Sequence, residues 1–130
     1  MKVTSYKDLT VWQKAMDLVD EIYTITEYFP QSQKFSLVDQ MQRAAVSIPS
    51  NIAEGSRRSS RDSYSYFLHV AYSSGAELET QLEISRRRNY CIEERYEKTS
   101  NLLSEVMKML NRIVANLNRD PTHYSLQPTH

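Results

Sequence analysis

The densest positive charge in the sequence falls in two groups of three arginines. Arg57, Arg58 and Arg61 are interleaved with serines in SRRSSRDS, and Arg86, Arg87 and Arg88 are consecutive. Guanidinium groups pair with phosphates, so the chemistry on offer is anion or nucleic-acid contact. A plainer use competes with it, because cations at a helix C-terminus complement the helix dipole. Both clusters stand where that reading applies, Arg86 to Arg88 at the end of one predicted helix and Arg57 with Arg58 at the end of another. Helical rise would separate the clusters by roughly 35 to 45 Å. One protomer therefore presents them at opposite ends, and only repetition around a cyclic assembly would multiply either into a larger basic surface.

The other reactive residue types do not form a constellation. Glu77, Glu79 and Glu83 do not share one clean helical face and have no nucleophile or phosphate loop beside them. His69, His123 and His130 lack close ligand spacing on a common helix, and a single cysteine, Cys91, excludes an internal disulfide and the multi-thiolate metal sites. Gly55 is followed by serines, without the lysine and glycine spacing of a phosphate-binding loop. No enzyme activity, cofactor or metal is expected. A different pattern runs along the second predicted helix, where Gln40, Arg43, Ser47, Asn51, Glu54 and Arg58 recur every three or four residues. They form either a solvated edge or a hydrogen-bonded seam between helices or subunits, with Glu77 and Gln81 as candidate partners.

Four amphipathic helices must position these residues. The first is predicted from Thr10, with a Thr10/Gln13 capping box behind Leu9, to about Tyr28, its apolar set being Trp12, Ala15, Met16, Val19, Ile22, Tyr23, Ile25 and Phe29. Pro30 closes it, and QSQK forms a polar loop. Ser36 and Asp39 signal a second start before Leu37, Met41, Ala44, Ala45, Ile48 and Ile52. Pro49 is expected to kink this helix and Gly55 to leave it in the left-handed C-cap conformation, making the two a structural turn element. Ser59 and Asp62 predict the next cap, before a helix running from about Ser60 to Arg88 with Tyr64, Phe67, Leu68, Ala71, Tyr72, Gly75, Leu78 and Leu82 on its inner face. Ala71, Ser74 and Gly75 permit close helix approach. After a turn at RNYCIEE, Thr99, Leu102, Leu103, Val106, Met109, Leu110, Ile113 and Leu117 define the fourth helix.

With 130 residues, 40% hydrophobic and 25% charged, and only two glycines and four prolines, the chain suits one all-helical domain rather than a strand-rich sandwich or a disordered tract. The expectation is an all-α, antiparallel up-down four-helix bundle over residues 1–120, with 121–130 as a mobile or strapping tail that packs through Tyr124 and Leu126. Sixteen basic residues balance sixteen acidic ones, so no global field draws the protein to nucleic acid or membrane. MKVTSYKDLTVWQ lacks the apolar run of a secretion signal and no stretch approaches a membrane span, which gives a cytoplasmic protein with no membrane partner as the expectation.

The stretches YKDLTVWQKAMDLV, YFPQSQKFSLVDQMQRAAVSIPSNIAEGSRRSS and FLHVAYSSGAELETQL carry a family resemblance. Its most specific residues are Gln40, Arg43, Ala44, Ser47, Ile48, Asn51, Ile52, Ala53, Glu54 and Gly55, then Arg58, Ser59, Gly75, Glu77, Leu78, Glu79 and Leu82. In these it resembles the bacterial four-helix-bundle family first noticed as proteins encoded within intervening sequences of 23S ribosomal RNA genes, also labelled S23 ribosomal proteins. The resemblance implies an up-down helical protomer, points to a homopentameric ring, and brings no established enzymatic reaction. A related accessory protein of diversity-generating retroelements binds nucleic acid and a reverse transcriptase, so the resemblance also implies RNA or DNA as a partner class. The family often has glutamate where Gln33 stands, and an aliphatic residue with glycine where this chain has Arg88 and Asn89 before Tyr90. The expected function is a non-enzymatic homo-oligomeric scaffold or protein-interaction module with an unidentified protein partner, the alternative being a nucleic-acid-binding accessory or chaperone protein.

Overall fold

A computed structural model describes residues 5–119. Four helices account for most of them: α1 (Thr10–Thr26), α2 (Leu37–Ser56), α3 (Arg61–Arg87) and α4 (Glu93–Arg119), with 3-10 turns at Tyr6–Asp8 and Gln31–Gln33. The described residues contain no strand. α1 packs against α2 and α4, and α3 packs against the same two, so the helices stand at the corners of a square. Cross-helix contacts run in opposite numerical order, Ser47 to Ser74 and Met41 to Ser85 between α2 and α3, which makes neighbours antiparallel. The fold is the all-α four-helix bundle expected. The tail from 121, with Tyr124, Leu126, His123 and His130, lies outside the described residues.

The bundle forms because each helix has one apolar stripe that it cannot bury alone. Leu18, Ile22 and Ile25 of α1 meet Met41, Ile48 and Ile52 of α2, Leu68, Leu78 and Leu82 of α3, and Leu103, Val106 and Leu110 of α4 in one core. Each such side chain contributes about 1.5 to 3 kcal/mol relative to exposure. On α1 the buried line is set one residue away from part of the expected stripe: Val11 and Leu18 are inside, while Met16 and Tyr23 stand partly in solvent. Glu21 ties α1 to α4 by accepting from Arg95 at 3.1 Å and approaching Lys98 at 3.5 Å.

The helix ends depart from expectation in instructive ways. Thr10 is the first helical residue rather than the cap, and the Gln13 amide donates instead to the Lys7 carbonyl at 2.8 Å. Ser36 precedes α2 but makes no cap bond, its hydroxyl bonding to Gln33. Ser60, not Ser59, caps α3 by accepting from the Ser63 amide at 3.0 Å. α2 continues through Pro49, which has no N–H for the carbonyl one turn back. The next two side chains bond backbone of the preceding turn, Ser50 donating to the Val46 carbonyl and Asn51 to that of Ser47, each at 2.8 Å.

Gly55 requires a correction. No glycine has positive φ, and Gly55 lies inside α2, which ends at Ser56. Its absent side chain serves packing instead. A Cβ there would come 2.8 Å from the Phe67 Cβ and 3.2 Å from the Tyr64 carbonyl, so only glycine lets the end of α2 lie this close to the start of α3. Gly75 performs the same service between α3 and the Met107 side chain of α4. Among the described residues the left-handed one is Asn89, with φ of 60°. It closes α3 in a Schellman arrangement, Tyr90 N–H reaching the Ser85 carbonyl at 2.9 Å and Asn89 N–H the Arg86 carbonyl at 3.1 Å.

Candidate interaction surfaces

The turn between α2 and α3 gathers Arg57, Arg58 and Arg61 at one end of the bundle. Arg57 lies over the Tyr6 ring at 5.5 Å and Arg58 over the Phe67 ring at 4.7 Å, with Arg58 also paired to Glu54 one turn back. Arg61 approaches Asp62 at 3.6 Å. Exposed Tyr66 stands edge-on to Phe67, with ring centroids 5.2 Å apart. Sequence spacing located the arginines but not their aromatic supports, because Tyr6 is some fifty positions away in the chain. Stacking holds the Arg57 guanidinium in place, whereas Arg58 also commits part of its N–H edge to Glu54.

The second cluster sits about 40 Å away along α3. Its charge is largely spent within the helix. Arg86 donates to both Glu83 oxygens, at 3.2 and 2.7 Å, and Arg87 donates to one of them at 2.9 Å. Hydrogen bonds from Arg86 first and Arg87 second hold the Glu83 carboxyl down from 4.5 to about 2. Tyr96 of α4 adds its hydroxyl to Glu83 at 3.3 Å and lies under the Arg86 guanidinium. Arg88 occupies the C-cap position and is exposed. Sequence spacing excludes Glu83 from an acid–base constellation, and its i+3 and i+4 spacing to two arginines is the local signal for this clamp.

The polar line on α2 divides in three. Ser47 meets Ser74 of α3, oxygen to oxygen, at 2.8 Å, and Asn51 donates to the Ser47 hydroxyl at 3.0 Å, so the middle of the line does join two helices. Gln40 is exposed, and Arg43 pairs with Asp39 on its own helix. Glu54 holds Arg58. On α3, Gln81 donates to Glu77 at 3.3 Å, a bond within one helix rather than across to α2. The partner that spacing did not single out is Ser74. Two buried oxygens have no partner among the described residues, the Gln81 amide oxygen and the Thr99 hydroxyl.

Two apolar depressions open on the surface. One runs between α1 and α2, lined by Tyr6, Trp12, Met16, Val19, Val46 and Pro49. The other, about 700 Å³, lies where the end of α1 meets the α3–α4 turn; Ile25, Tyr28, Tyr90, Cys91 and Ile92 line it together with Arg86 and Arg95. Partial burial, and then Glu93, push the Cys91 thiol up, which disfavours the reactive thiolate. Among the described residues no group of three or more histidines, cysteines or carboxylates could hold a metal ion, and no helix is long and apolar enough to cross a membrane. His69 is an exposed residue of α3.

Comparison with known proteins agrees with the geometry. No match is found among curated proteins. A crystal structure of a protein with unknown function from the S23 ribosomal protein family of Bacteroides thetaiotaomicron VPI-5482 superposes with a TM-score of 0.75 at 29% identity, covering 81% of this chain and 95% of that one. The model of the 23S rRNA-intervening sequence protein family matches residues 7–112, which span all of α1, α2 and α3 and most of α4. The chain belongs to the 23S rRNA-intervening sequence protein family.

Proposed function

We propose that this small all-helical domain is a non-enzymatic scaffold that works as a cyclic homo-oligomer, a pentamer being the expected ring, and presents its outer surface to a protein partner. The observation that carries this reading is the set of large apolar side chains left in water by a bundle whose core is already closed. Tyr28, Phe35, Tyr66 and Ile92 are each more than 60% exposed, Met16 and Val46 border the α1–α2 groove, and Tyr23 borders a further depression between the same two helices. A lone domain gains nothing from that arrangement, whereas a repeated contact between copies buries it. Light scattering coupled to size exclusion tests the reading. A mass near five times the 15.2 kDa protomer supports it, and a 15.2 kDa species throughout the micromolar range refutes it.

A second reading, nucleic-acid binding, is supported by the ring-stacked Arg57 and Arg58 beside Arg61 and exposed Tyr66. Among the described residues the Arg86 end has no ring-stacked pair beside an exposed tyrosine, although carboxylates engage two of three arginines at both ends, Glu54 and Asp62 at one and Glu83 at the other. Balanced overall charge favours the scaffold. A salt series with unrelated single-stranded RNA, double-stranded DNA and an RNA–DNA hybrid separates the two readings. Binding that falls steeply with salt and is lost when Arg57, Arg58 and Arg61 are replaced together would establish the second.

A further inference from the structure

Phe35 is the most exposed large apolar side chain among the described residues, at 87%. It does not sit on a loose segment. Backbone bonds from Gln33 to Pro30, Lys34 to Gln31 and Ser36 to Gln33, at 2.9, 3.1 and 3.2 Å, bracket it between the 3-10 turn and the start of α2. A well-bonded loop therefore holds an aromatic ring out in water, where it forfeits all the stabilisation of burial. Beside the ring, 5.6 Å from its centroid, is the Lys34 ammonium.

The cavity at the α3–α4 turn has complementary features. It lies at the same end of the bundle as Phe35, since the α1–α2 loop and the α3–α4 turn close the same end of an up-down bundle. Its walls are aromatic and aliphatic, with Tyr28 70% and Ile92 64% exposed at the mouth. Glu93 is among its lining residues and offers a negative partner to Lys34, while its two arginines are already engaged, Arg86 by Glu83 and Arg95 by Glu21. Phe35 is not among its own chain's lining residues: it lies in the loop before α2, whereas the cavity is built by α1, the end of α3 and the start of α4. Rotation about an axis parallel to the helices leaves height unchanged, so it can bring Phe35 of one copy to the cavity of the next.

We infer that Phe35 is the knob, and the cavity between Tyr28, Tyr90 and Ile92 the hole, of a head-to-tail contact between two copies of this chain. The inference rests on the self-association proposed above and adds the surface that makes it. Because knob and hole are different patches, each copy gives one contact and receives another, and the contacts form a ring where the rotation between copies closes.

The cavity holds the chain's single cysteine, which gives a direct test. In Phe35→Cys the new thiol of one copy faces Cys91 of its neighbour, and oxidation at mildly alkaline pH should produce a ladder of species beyond the dimer on a non-reducing gel. Phe35→Cys combined with Cys91→Ser should stop at the dimer. A Phe35→Cys protein that is oligomeric by light scattering yet yields nothing above the dimer overturns the knob-and-hole contact and leaves self-association standing. A wild-type monomer overturns both. Without cross-linking, Phe35→Asp and Ile92→Asp should each raise the concentration at which the assembly dissociates by about tenfold or more. Both residues are exposed, and aspartate immediately before α4 is a favoured helix cap, so helicity should hold. Assembly unchanged by Ile92→Asp would overturn the assignment of the cavity.

Discussion

Replacing Gly55 with alanine should destabilise the bundle, although the position is helical and alanine is the better helix former. The propensity gain is about 1 kcal/mol. Against it stand contacts of 2.8 Å to the Phe67 Cβ, 3.1 Å to the Tyr64 ring and 3.2 Å to the Tyr64 carbonyl. Two of these atoms belong to, or are bonded directly to, the α3 backbone, so relief requires α2 and α3 to separate rather than a side chain to swing. Overpacking of this kind costs about 1 to 3 kcal/mol, and rigid neighbours place Gly55 in the upper part of that range. The net expectation is a loss of about 1 to 2 kcal/mol, read as a lower urea midpoint at unchanged slope and fixed protomer concentration. Gly55→Asn distinguishes close approach from a left-handed backbone: asparagine should be worse than alanine here, whereas a left-handed site would tolerate it better. Unchanged or increased stability of Gly55→Ala would refute the packing argument.

Gly75→Ala should cost less than Gly55→Ala, below about 1 kcal/mol, because the overlapping group is the flexible Met107 thioether; denaturant melts of both variants make the comparison. Thr99→Val should raise stability by about 1 kcal/mol, since it removes a fully buried hydroxyl without a partner at nearly constant shape, and a lower thermal midpoint would contradict this. Asn89→Ala should lose about 1 to 2 kcal/mol in the same melts, as alanine pays the left-handed cost that asparagine reduces. Glu83 should titrate by carboxyl NMR at about 2 and move back toward 4.5 when Arg86 and Arg87 are both replaced by methionine. Its folded value lies below its unfolded one, so its contribution is complete above about 4.5 and is lost as pH falls toward 2.

Helical periodicity made the architecture legible, because one buried stripe per helix is a property that sequence spacing records directly. The inner faces of α3 and α4 follow it closely. α1 is less faithful: its apolar residues cover more than one face, so Met16 and Tyr23 fit the pattern yet line surface depressions, while Leu18 supplies the core. Gly55 shows the other boundary of sequence reading. A glycine one residue before a helix end satisfies a C-cap and a close helix crossing equally well, and only the position of Phe67 decides between them. Long-range pairings were similarly hidden, as with Arg57 over Tyr6 and Ser47 against Ser74, whereas the Glu83 clamp was encoded in local spacing.

Native mass spectrometry of the untagged protein at micromolar concentration tests the central claim most directly, since it counts subunits without assuming a shape. The account predicts a single closed species of more than two copies, five being the expected number, that gives way to smaller species in Phe35→Asp. A spectrum containing only the 15.2 kDa protomer at every concentration would contradict it.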